Sequence, residues 1–231
     1  MYELFLGLRY LKAKRKQRFI SVITIISVLG VMVGVMALVV VLSVMNGFRS
    51  DLMSKILGVN SHVLVLNLSG TFNGYQEVAE KVEKMDGVVA ITPFVYTQVM
   101  LNNSGRVSGA VLRGVDPKSA ARVVSFDKMI KEGSLSSLSE AENGIPSIII
   151  GSELAKQIGA STGSLVTVIS PEGKLTPLGR TPNTKRFKVT AIFDSGMYEY
   201  DASMVYISLG EAQRFLALGD SVTGLELKVK E

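Results

Sequence analysis

The 231-residue chain holds one histidine, His62, and no cysteine. A thiolate metal site, a histidine cluster and the H-E-x-x-H pattern are therefore excluded. No G-x-x-x-x-G-K-[ST] loop is present to cradle nucleotide phosphates, no G-x-G pair to approach a dinucleotide, and no G-x-S-x-G elbow. Asp194, Glu199 and Asp201, in FDSGMYEYD, have the oxygen chemistry for a cation. No further carboxylate cluster accompanies them, so they read as turn residues. His62 opens a strand and reads as structural. These residues predict no catalytic group, no metal and no cofactor, and the chain is expected not to be an enzyme.

The chemistry that the sequence does offer is recognition. Residues 171–186 read PEGKLTPLGRTPNTKR. Pro171, Pro177 and Pro182 each lack the N–H of a ladder, which stiffens the segment. Lys174, Arg180, Lys185, Arg186 and Lys188 follow one another with no acid among them. Leu175, Pro177 and Leu178 form an apolar tip. The flanks SLVTVIS and RFKVTAIF alternate as strands do. The pattern predicts a basic, apolar-tipped arm held up between two strands, with an ordinary solvated hairpin loop as the bland alternative.

Other elements must hold this arm in place. Six basic residues and one acid occupy the first 18 positions, so the formal net charge of +5 sits mostly there. The remainder is nearly neutral, which argues against a nucleic-acid surface. No charged residue occurs from Phe19 to Phe48. The stretch Phe19–Leu42 spans roughly 36 Å as a helix, more than the ~30 Å hydrocarbon core and too long for a signal peptide. The expectation is one transmembrane helix at 19–45 behind a basic amphipathic cytoplasmic helix at 1–18, and a stalk helix at 46–58 closed by Gly58. Asn46-Gly47 leaves a break there as the competing reading. The basic cluster places the N-terminus in the cytoplasm and the bulk outside. Gly30 and Gly34 form a G-x-x-x-G face with Ser27, which suits a partner helix.

Beyond the membrane the pattern gives a strand at 61–67, a helix over YQEVAEKVEKMDG, strands VVAI and FVYTQVMLN, and RVSGAVLRGV paired through the turn NNSG. Asp116-Pro117 opens a helical region to about Lys131. Then come strand PSIIIG, helix SELAKQIG, the arm and its flanks, strand ASMVYIS, and a helix with a Ser208/Glu211 capping box. A final strand, TGLELKVKE, ends the chain. The fold class is α+β with mostly antiparallel sheet. The expected division is a first subdomain at 59–133 and 220–231 and a second at 134–219.

LGLRYL, VLSVMNGFRSDL, GSELAKQIG, TPLGRTP and MYEYDASMVYI together resemble the LolC/LolE-type permease subunits of lipoprotein-releasing ABC transporters, relatives of MacB. The resemblance runs in order along nearly the whole chain, with Gly163-Ser164 where many relatives have Gly-Asp. It implies a MacB-like periplasmic core carrying a hook, in a bacterial inner-membrane protein of four membrane helices. Only the first of these precedes Glu231, so the chain is expected to be the N-terminal part of such a protein. The implied partners are a cytosolic ABC ATPase that supplies hydrolysis, a second permease subunit, lipoprotein cargo and a periplasmic lipoprotein chaperone. The hook at 171–186 is implied to receive that chaperone through Lys174, Leu175, Pro177, Leu178, Arg180, Pro182, Lys185 and Arg186. An FtsX-like signal transmitter acting on a cell-wall hydrolase, a MacB-type efflux permease and a simple anchored binding module are the rival readings.

Overall fold

The structure is a computed structural model that describes residues 2–12, 18–59, 61–68, 70–142, 144–176 and 179–230. It divides into two compact units, residues 1–53 and 54–231.

The first unit is helical. Helix α1 spans Tyr2–Lys12, and α2 begins at Arg18 and continues to Val59. Tyr2, Phe5 and Leu6 of α1 are exposed. The expected transmembrane and stalk segments are thus one uninterrupted helix, and Asn46-Gly47 does not break it. Helical patterning on both sides, an apolar run before and Phe48, Leu52 and Ile56 at four-residue spacing after, overrides a local glycine cost of about 1 kcal/mol. Gly58 likewise lies inside the helix instead of closing it. Ile20–Met53, whose most apolar 18-residue stretch has a mean hydropathy of 3.0, is long and apolar enough to cross a membrane.

In the second unit the sheet is mixed but mostly antiparallel. Its strands are β1 (Val63–Leu66), β2 (Val88–Asn103), β3 (Arg106–Val115), β4 (Ile130–Glu132), β5 (Ala141–Glu142), β6 (Ile145–Gly151), β7 (Leu165–Thr176), β8 (Gly179–Phe193), β9 (Met204–Ser208) and β10 (Gly224–Val229). The helices are α3 (Tyr75–Glu83), α4 (Pro117–Val123), α5 (Ser152–Ile158), α6 (Tyr198–Asp201) and α7 (Leu209–Leu216). VVAI and FVYTQVMLN are one strand, β2, which passes through Pro93. The β3 ladder starts one residue later, at Phe94↔Val115, so the missing N–H forfeits no bond to β3. The predicted NNSG turn is present: Ser104 and Gly105 have φ of 51° and 87°, the left-handed pair that a two-residue hairpin needs. The region expected to be helical to Lys131 is shorter than that. Asp116 caps α4 by accepting from the Ser119 N–H, and the helix ends at Val123. A single 3-10 turn at Phe126–Lys128 and strand β4 take the remainder.

Strand pairing closes on itself. β2 pairs β3, β3 pairs β9, β9 pairs β6, β6 pairs β8, β8 pairs β7, and β7 returns to β2. This ring is a small barrel filled by side chains. Val99, Leu101, Leu112, Ile148, Ile150, Val166, Val168, Phe187, Val205 and Ile207 all belong to one buried cluster. The period-two alternation sends Ile149, Phe193, Met204 and Tyr206 into a second cluster on the other side, with α4 and Phe126. Helix α5 touches β2, β3, β6 and β8, and Asn103 at the β2 end donates to the carbonyls of Ile158 and Gly159. Helix α7 covers the opposite mouth, touching β2, β3, β7, β8 and β9. It sits close because β3 offers Gly114 there: a Cβ at that position would collide with Ala212. The barrel draws β2 and β3 from the segment 59–133 and β6 to β9 from 134–219, so the expected subdomain boundary falls inside a continuous sheet.

The first half of β2, with β10 and β1 beside it, extends from the ring as an antiparallel sheet. His62 Nδ1–H donates to the Val229 carbonyl at 3.1 Å, joining the first strand to the last, in keeping with its structural reading.

Candidate partner-docking hairpin

Two strands of the ring run on past it. β7 pairs with β2 only from Thr167 to Ile169, and beyond that its partner is β8 alone. The register continues through Lys174↔Thr181, Leu175↔Arg180 and Thr176↔Gly179, with a bulge between Ser170 and Lys174. The arm read from the sequence is therefore a two-stranded ribbon leaving the α7-covered mouth. Pro177 and Leu178, the centre of the expected tip, lie outside the described residues. Gly173 stands at the bulge, where a Cβ would collide with the Thr181 carbonyl, so the crossing of the two strands requires glycine.

At the ribbon's root the alternation of β8 sorts the predicted residues by face. Pro182, Thr184 and Arg186 are exposed, whereas Asn183 and Lys185 are half-buried and Phe187 is buried. Lys185 Nζ donates to Glu211 Oε2 of α7 at 2.6 Å and lies 6.0 Å from the Phe187 ring centroid. Asn183 Nδ2 donates to the Phe215 carbonyl of α7 at 2.9 Å. Phe187 and Phe215 meet edge to face at 6.2 Å. Glu211 also accepts from Arg214. Burial alone would raise the Glu211 carboxyl, but the hydrogen bonds from Lys185 and Arg214 outweigh it and hold the group below its ordinary range. Ser208 is the N-cap of α7 without a side-chain capping bond, so the expected capping box is absent. Its Glu211 is engaged with the hairpin and Arg214 instead, a tertiary use that a local four-residue signature does not reveal.

Gly30 and Gly34 have no atom within 4 Å of an added Cβ, and Ser27 beside them is exposed, so that helix face is open. Asp194 pairs with Lys131 and accepts from the Gly196 N–H. Asp201 accepts from the N–H and hydroxyl of Ser195, each at 2.8 Å. Glu199 is not drawn into a ligand set with them, and no group of three or more potential metal ligands occurs among the described residues. Sequence reasoning missed a buried pair, Arg113 with Glu226, which links β3 to β10 across β2. Arg113 also lies 5.8 Å from the Phe94 ring centroid and 5.9 Å from that of Tyr206. The signal was a charge set directly beside buried apolar residues, Arg113 next to Leu112 in β3 and Glu226 between Leu225 and Leu227 in β10.

The chain belongs to the MacB-like periplasmic core domain family, whose pattern matches residues 24–231. Within it the similarity falls on LolC/LolE-type proteins, as the motifs suggested. The chain is 36% identical over 229 residues to the lipoprotein-releasing system transmembrane protein LolC of Neisseria meningitidis serogroup B, covering 99% of this chain and 54% of that protein. It is 27% identical over 233 residues to the transmembrane protein LolE of the same kind of system in Haemophilus influenzae, covering 98% and 55%. The chain thus spans about half the length of these relatives. Among solved structures, the periplasmic region of MacB from Actinobacillus actinomycetemcomitans matches with a TM-score of 0.44 at 14% identity, covering 74% of this chain and 67% of that one.

Proposed function

We propose that the chain is part of an inner-membrane permease subunit of a lipoprotein-releasing ABC transporter, and that the β7–β8 ribbon is its hook for a periplasmic lipoprotein chaperone. The observation that carries this reading is the ribbon itself, a hairpin that leaves the barrel after Ile169 in a chain 36% identical to a LolC protein. In this reading residues 1–18 lie on the cytoplasmic face, α2 spans the bilayer and emerges as a stalk, and the unit beyond it is periplasmic. The open Ser27, Gly30 and Gly34 face packs on a second permease subunit. ATP hydrolysis belongs to a separate cytosolic subunit, and lipoprotein is the cargo.

The hook works by restriction and by anchoring. Prolines and cross-strand pairing reduce the freedom the ribbon loses on docking, which lowers the ordering cost. Leu175, Pro177 and Leu178 supply apolar anchors, and Lys174, Arg180 and Arg186 attract an acidic rim. The test is binding of a purified lipoprotein chaperone to the full-length permease in nanodiscs, with and without residues 173–183. Loss of binding on deletion is expected. Equal affinity for both proteins would return the ribbon to the status of an ordinary surface hairpin.

A further inference from the structure

We infer that α7 is the positioning element of the hook, and that Glu211 acts as its tether by holding Lys185 rather than leaving it free as a docking charge. This inference rests on the docking reading for its consequence, but its geometry stands apart from that reading.

A two-stranded ribbon is marginally stable by itself and has no direction of its own. Its aim is set where it leaves the barrel. On the β7 side, pairing to β2 stops at Ile169. On the β8 side, pairing to β6 starts only at Lys188. Between Lys188 and the tip, three successive inward residues of β8 meet α7. Phe187 packs on Phe215, Lys185 pairs with Glu211, and Asn183 donates to the Phe215 carbonyl. These contacts advance two residues at a time along about 13 Å of strand, with Phe187 and Lys185 opposite Val166 and Val168 in the barrel wall and Asn183 opposite Ser170 just past it, so they fix the root from which the ribbon departs. Helix α7 is itself firmly seated, with Ala212 buried against the glycine of β3. Glu211 is well suited to the tether. Its side chain is 16% exposed, and it is kept charged by two cations.

The two roles for Lys185 predict opposite outcomes for one substitution. If Lys185 steers an acidic partner, Glu211→Gln removes a neutralising neighbour and speeds association. If Glu211 is a tether, Glu211→Gln loosens the ribbon and weakens docking. The protein to use is the full-length permease in nanodiscs, with a nitroxide label at the exposed Thr184. In the absence of chaperone, Glu211→Gln should sharpen the label's spectrum toward faster motion, and the exchanged pair Lys185→Glu with Glu211→Lys should restore much of the slow component. With chaperone, Glu211→Gln should weaken binding by about three- to tenfold through faster dissociation, the scale of one side chain or strand segment released from order. Unchanged label motion, or faster association with unchanged dissociation, overturns the tether. Wild-type protein that binds no chaperone overturns the docking reading alone, because the label's motion still decides the positioning role.

Discussion

Lys185 and Arg186 are adjacent in β8 and face opposite sides of the hairpin. Lys185 turns inward to Glu211, and Arg186 turns outward to solvent. The acid-free basic run of the sequence is thereby split into a structural half and an available half.

Charge reversal should separate the two halves. On the docking proposal, Arg186→Glu is expected to slow chaperone association, most at low ionic strength where screening is weakest, and to leave dissociation nearly unchanged. Stopped-flow association of the full-length permease at two salt concentrations is the measurement. A loss that persists undiminished at high salt would remove steering as the role of Arg186.

Gly173→Ala should distort the ribbon without unfolding the barrel. The added methyl meets the Thr181 carbonyl, so the bulge must open and the register of Lys174↔Thr181 must shift. Distances between spin labels on the ribbon and on β2, compared with wild type, report the change. An unaltered distribution would mean that the bulge absorbs a Cβ.

The Arg113–Glu226 pair should behave as a buried ion pair. Their side chains are 7% and 5% exposed. Glu226→Ala leaves a guanidinium buried without its counter-charge, at a cost of about 3–5 kcal/mol. Replacing both residues with apolar ones, Arg113→Met with Glu226→Leu, should cost far less. Urea unfolding followed by tyrosine fluorescence distinguishes them. Equal loss in the single and double variants would argue against coupling.

Asp201 gives a pH-dependent contrast. Burial raises its carboxyl above the ordinary 3.8, the nearby Asp194 charge pushes the same way, and the bonds from Ser195 offset only part. A carboxyl raised by folding supports stability fully below 3.8, and that support declines as pH rises through the folded value. Asp201→Asn keeps an oxygen for the Ser195 N–H and lacks the decline. Its stability relative to wild type should therefore grow with pH across that window and then level off. A difference independent of pH between about 3.5 and 7 would contradict the assignment.

In the membrane unit, Gly34→Leu should leave α2 helical, since nothing lies within 4 Å of the added Cβ. Association of permease subunits should fall, because the larger side chain separates the backbones. Unchanged subunit recovery would place the helix contact on another face.

The sequence carried the local features well and the long-range ones poorly. The NNSG hairpin was legible because Gly takes the left-handed backbone at no steric cost and an Asn side chain caps such a turn, as Asn102 does by accepting from the Gly105 N–H. The ribbon was legible because its flanks alternate and its prolines punctuate. The closure of the barrel was not, since it depends on the parallel pairings β3–β9 and β6–β8, which join residues far apart in the chain. The partner of Lys185 was hidden for the same reason. Glu211 is 26 residues away and carries a local signature for a different task. Asn46-Gly47 misled in the other direction, as a strong turn dipeptide within a helix that its neighbours dominate.

The pairing of β1 with β10 has a mechanical consequence. The two strands are antiparallel, and the start of β1 and the end of β10 lie together, clasped by His62 and Val229. A pull that spreads those ends would load the ladder one rung at a time, beginning near Val63↔Leu227, in the manner of a zipper and not of a shear joint. Each ring strand behind them is bonded on both flanks and resists the same pull as a unit. Splaying of the unit's two feet is therefore taken up first in its outermost seam, while the barrel and the root of the arm keep their shape.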